Sequence, residues 1–155
     1  QGYRPQQEGK RNEQGCRNES TFKSKEEVSK LKVHIFDPAI YPRLIYVVKG
    51  KGLKDDIHDS FLTPDGETLN MEGSDMCKAG VWDVQLKETS KLGALIWLRE
   101  LIDVSVIAHE SVHAANVIFR SCGVDYDTAH DEHFAHMVGF VADCIWQTYT
   151  GKFKD

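Results

Sequence analysis

Two histidines four residues apart with a glutamate between them, in the run His109-Glu110-Ser111-Val112-His113, are the residues of this sequence best suited to chemistry. On a helix, residues i and i+4 stand one turn apart on the same face, so both imidazoles reach one metal ion at about 2.0–2.1 Å. Glu110 projects roughly 100° around the helix from His109 and therefore stands beside such an ion rather than on it. Zinc brings the pKa of bound water toward about 7, so a carboxylate suffices to take the proton and later return it to a leaving amine. The expected chemistry is hydrolysis of a peptide or amide bond, with one zinc ion as cofactor and Glu110 as the general base.

A catalytic zinc site carries three protein ligands and an open position. Five of the seven histidines lie between 109 and 136, so ligands are concentrated in this region. Glu132 is the leading third ligand, because it follows His113 by 19 residues at the start of a second helix and the intervening chain can turn back over the site. His130, His133 and His136 stay open as alternatives, either as the third ligand or as groups that steady an oxyanion. Tyr126, after Gly123, is either a surface loop aromatic or a hydrogen-bond donor to that oxyanion. Asn116, one turn past His113 on the same face, is placed to orient a ligand.

The histidine pair needs a helix, and the sequence supplies one. Asp103 or Ser105 can cap its free amides, and Gly123 is the residue type favoured just past a helix end. Ile107, Ala108, Val112, Ala115, Ile118 and Phe119 fall on one side as a packing face, with His109, His113 and Asn116 on the other. A second helix is expected from about Asp131 to Tyr149, with Phe134, Met137, Val138, Val141, Ile145 and Trp146 at three- and four-residue steps. Upstream, Leu31, Val33 and Ile35 alternate with polar residues, and Leu44 to Val48 forms an apolar run ending at Gly50-Lys51-Gly52, which predicts two strands. Residues 54–78, with Pro64-Asp65-Gly66, predict a long loop containing short pieces of structure. Val81 to Leu86 and Ala94 to Leu98 predict a hairpin turning near Thr89-Ser90.

These features resemble the zincin metallopeptidases, and in particular the gluzincin arrangement in which a Glu on a following helix completes the ligand set. The resemblance is carried by His109 to His113 and by Asp131-Glu132-His133-Phe134-Ala135-His136. Residues 31–150 are also similar to small zincin-like proteins encoded by phages and prophages. The likeness implies a small α+β domain with a short, mostly antiparallel sheet against the motif helix. His109, His113 and Glu132 would then be ligands and Glu110 the base. It also implies an extended peptide substrate laid on an edge strand before the motif helix, the place Ala94 to Leu98 occupies, although four consecutive apolar residues there equally describe a core strand. The chain departs from the family in having His136 where an Asp commonly orients a ligating histidine. The longer metzincin pattern needs Gly at 116 and His at 119, and this chain has Asn116 and Phe119.

Composition sets the outer limits. A chain of 155 residues that is 41% apolar can bury a core without disulfides, and the expected division is a polar arm over 1–30 and one domain over 31–155. A net charge of -5 with no basic cluster argues against nucleic acid as a partner. No apolar stretch approaches the roughly 20 residues of a membrane span, and no signal-like segment opens the chain, so a cytoplasmic location is expected. The peptide or protein substrate is expected from the metal chemistry and the zincin resemblance. Cys16, Cys77, Cys122 and Cys144 form no Cys-x-x-Cys pair and are expected to be reduced structural thiols. The rival function is a non-catalytic, zinc-stabilised protein that binds a host or partner protein. Metal storage ranks last, because it has no need of a glutamate between the histidines.

Overall fold

Leu44-Ile45-Tyr46-Val47-Val48 is apolar at every position because it is covered on both faces. The computed structural model describes residues 31–155, and the arm expected over 1–30, with Cys16, lies outside the described residues. The chain runs β1 (His34–Phe36), β2 (Leu44–Lys49), α1 (Lys54–Ser60), β3 (Phe61–Leu62), a 3-10 turn (Ser74–Met76), β4 (Ala79–Leu86), β5 (Leu92–Leu98), α2 (Val104–Ser121) and α3 (Glu132–Thr150). This is a mixed α+β fold. Its five strands lie in the order β1-β2-β5-β4-β3, with every pairing antiparallel except β2 with β5.

Each face of the sheet carries its own core. Ile45, Val47, Ala94, Ile96 and Leu98 face α2 and α3, which bring Ala115, Ile118, Val141 and Ile145 to them. Tyr46, Val48, Leu95 and Trp97 face the other way, toward Ile57 of α1, Phe61, and Leu69 and Met71 from the loop. The residues on β2 and β5 therefore alternate between two buried environments, and the continuous apolar run is the sequence signature of that position. Trp97 pairs its indole N–H with the Gly50 carbonyl at 2.7 Å, which satisfies the only polar atom of a fully buried side chain.

The hairpin joins β4 to β5 where expected. Ser90 donates its N–H to the Leu86 carbonyl at 2.7 Å from a left-handed backbone (φ 57°). Gly93 sits opposite Leu44 in the parallel register, so close that a side-chain carbon there would overlap the Leu44 carbonyl and the Tyr46 ring.

Several expectations are corrected. β1 is limited to His34–Phe36, and Leu31 and Val33, ahead of it, pack against the core that holds Tyr46 and Trp97. Residues 54–78 hold the expected long loop with short pieces of structure, which are α1, β3 and the 3-10 turn. β5 is an interior strand between β2 and β4, so Ala94 to Leu98 offers no free edge. The buried stripe of α2 is rotated from the expected one. Ala108 and Val112 are exposed, whereas Glu110, Ser111 and Ala114 are buried. Ser111 tolerates burial because its hydroxyl donates to the Ile107 carbonyl at 2.6 Å, within its own helix. On α3, Trp146 is half exposed and Cys144 takes a core position, its thiol pushed up to about 12 chiefly by burial.

Candidate metal centre

The site begins with the ends of α2. Asp103 has an extended backbone, and its carboxylate accepts from Ser105 Oγ at 2.6 Å and from the Val106 N–H at 3.1 Å. Asp103 is thus the cap and Ser105 supports it; these bonds, the Ser105 hydroxyl first, hold the Asp103 carboxyl below the usual carboxylate range. At the far end Gly123 adopts φ 68° and the Val124 N–H closes on the Phe119 carbonyl at 2.9 Å, turning the chain back toward α3.

Between these ends His109 and His113 converge. Their Nε2 atoms are 3.0 Å apart, with ring centroids 4.6 Å apart and planes crossing at 74°, and both side chains are open to solvent. At about 2.0–2.1 Å from a tetrahedral zinc ion, two nitrogens stand about 3.3 Å apart. The two histidines therefore fit two positions of a zinc ion with a few tenths of an ångström of adjustment.

Glu110 lies on the sheet side of the same turn and is 8% exposed. Burial pushes its carboxyl upward, and the neighbouring His109 and His113 pull it partly back. A carboxyl raised toward neutrality can both accept and return a proton, which is the property a general base of this kind needs.

All three residues open into one cleft of about 780 Å³. Asn116 and Arg120 continue the α2 wall beyond His113. The opposite wall is β4, represented by Ala79, Gly80 and Val81. β4 pairs with β5 along its length but with β3 only at Gln85 and Leu86. From Ala79 to Val84 its outer edge has no strand partner among the described residues. The unpaired edge expected on β5 is therefore found on the adjacent strand, β4. The two walls run the same way: Cys77 and Ala79 share a hollow with Ser105 and His109, while Asp83, further along β4, senses Arg120.

The loop past Gly123 forms the third side. Tyr126 reaches the cleft there, half exposed and with its ring 4.5 Å from that of Phe134. The cleft thus brings together His109, Glu110, His113, Asn116 and Tyr126. It does not include Glu132, His130, His133 or His136. Glu132 and His136 face solvent as a pair at 3.5 Å, and His130 is tied to Asp127 at 2.7 Å. His133 and His136 border a separate apolar hollow with Ile40, Tyr41 and Phe140. Among the described residues, no three of His, Cys, Asp and Glu gather around one point. Two metal-capable groups on the cleft were missed from the sequence, Asp125 and Cys77, together with Arg120. For Arg120 the signal was available: it follows His113 by seven residues and so shares its face of the helix.

No described helix is long and apolar enough to cross a membrane. Among the described residues, Cys77, Cys122 and Cys144 form no disulfide. Comparison with protein-family models, curated proteins and solved structures found no match to this chain.

Proposed function

We propose that this protein is a zinc-dependent hydrolase of peptide or amide bonds, acting on an extended segment laid against the free edge of β4. The observation that carries the reading is the convergence of two imidazole nitrogens 3.0 Å apart with a buried glutamate on the wall of a cleft whose other wall is an unpaired strand. Bound by His109 and His113, zinc would supply Lewis acidity and lower the pKa of the water it holds. Glu110 takes the proton of the attacking water and returns it to the leaving amine. Tyr126 donates to the developing oxyanion from the loop past Gly123. The main-chain groups of Ala79 to Val84 hold the substrate backbone as an added strand. Glu132 remains the residue proposed as third ligand, on its chemistry: it is a carboxylate in the first turn of α3, solvent-exposed and, among the described residues, engaged only by His136.

The test is incubation of the protein, loaded with equimolar zinc, with a random decapeptide pool read by mass spectrometry. Cleavage that stops on chelation and returns with zinc supports the reading; a pool left intact contradicts it. A second reading, a zinc-stabilised protein that acts by binding a partner, is favoured by one observation: Glu132 and the nearby histidines stand apart from the His109–His113 pair. Unchanged biological function in a Glu110→Gln protein would decide for it.

A further inference from the structure

We infer that Arg120 makes this cleft selective for peptides carrying Asp or Glu about three residues from the cleaved bond, an inference that rests on the peptide hydrolysis proposed above. His113 and Arg120 are seven residues apart, so they project within about 20° of each other and are separated by about 10.5 Å along α2. Side chains on a helix lean toward its N-terminus, and Arg120 lines the same cleft as His109 and His113. An extended peptide advances about 3.3 Å per residue, so three residues span the interval.

Arg120 is the cation on the cleft wall that is left without a direct partner among the described residues. Arg120 is exposed and, among the described residues, makes no ion pair or side-chain hydrogen bond. Arg43, its cationic neighbour, is engaged by the Ser121 hydroxyl at 3.1 Å and the Ser121 carbonyl at 2.9 Å. Asp83 on β4 feels both guanidiniums, but neither lies within ion-pair distance of it. Asp65 also acts on Asp83, so the acidic groups here balance the two cations in number. What sets Arg120 apart is that its guanidinium is not engaged and offers the forked geometry that matches a carboxylate. Asp125, on the loop past Gly123, also lines the cleft and disfavours acidic residues placed beside it, so the preference attaches to a single substrate position rather than to net charge.

The experiment measures binding and cleavage separately. Zinc-loaded Glu110→Gln protein is titrated with fluorescent decapeptide pools in which Asp, Asn or Lys is fixed at one position at a time and the others are random. The same pools are then digested by the unsubstituted protein. One Asp-fixed pool should bind about fivefold tighter than its Asn counterpart, as expected for a solvent-accessible ion pair. Arg120→Ala should abolish the difference, and Arg120→Glu should shift the preference to Lys. Equal binding of Asp and Asn pools, binding of none, or a preference that survives Arg120→Ala with the fold intact by circular dichroism would overturn the inference. Selective binding without cleavage by the unsubstituted protein would instead overturn the hydrolase reading and leave the acidic preference standing.

Discussion

Replacing Glu110 by Gln changes one oxygen to nitrogen and keeps the shape of a side chain that is 8% exposed, so its effects separate chemistry from packing. A positioned general base contributes about 10²–10⁴ in rate, equivalent to about 2.7–5.5 kcal/mol of barrier, and kcat should fall by that factor. Zinc content should not change, because Glu110 stands beside the two ligands. Stability should move in the opposite sense to activity. Burial raises the folded-state pKa of Glu110 above its unfolded value, so the folded chain holds this proton more tightly. The stability it contributes is fully present below the unfolded pKa and is lost as pH rises through the folded pKa. Gln has no such loss. In chelator, the melting temperature of Glu110→Gln relative to the unsubstituted protein should therefore rise from mildly acidic pH toward neutral pH. Scanning calorimetry across that window, with zinc analysis and peptide kinetics on the same preparations, provides the assay. A variant with kcat within threefold, a variant that has lost zinc, or a melting difference flat with pH would each refute part of this reasoning.

Ile118→Ala removes a fully buried side chain from the contact of α2 with the sheet and should cost about 2–5 kcal/mol, read as a drop in the urea midpoint; a loss under 1 kcal/mol would mean that the helix is not clamped there. Gly93→Ala forces a carbon into the Leu44 carbonyl and should cost about 3 kcal/mol or prevent folding, measured by thermal melting. Ser90→Gly relieves the left-handed turn of the hairpin and should raise stability by about 0.5–1 kcal/mol in the same measurement. Glu132→Gln should weaken zinc binding by more than the 10–100-fold typical of residues outside the ligand set, by competition with a chromophoric chelator; an unchanged affinity would remove Glu132 from the site.

Local signals were legible in the sequence, and long-range ones were not. The helix end at Gly123 and the turn at Thr89-Ser90 act over a few residues and follow from residue type alone, while the cap is narrowed to Asp103 or Ser105, with Asp103 the one that forms it. The place of β5 inside the sheet depends on its parallel pairing with β2, nearly 50 residues earlier, which no local pattern encodes. α1 was hidden because only Ile57 of its seven residues is buried, which leaves no periodicity to detect. The rotation of the α2 stripe depends on Ser111 satisfying its hydroxyl within the helix, an arrangement that hydropathy counts as polar. At the site, the spacing that aligns His109 with His113 is a property of the helix itself and was visible at once. The contribution of β4 and of the loop after Gly123 required the tertiary fold.

The claim on which the rest depends is that His109 and His113 hold a metal ion. Metal analysis by mass spectrometry of protein dialysed against limiting zinc, alongside His113→Ala and His133→Ala, tests it most directly. Stoichiometric zinc in the unsubstituted chain and in His133→Ala, with none in His113→Ala, is the predicted result. Zinc retained equally by all three proteins, or by none, would contradict it.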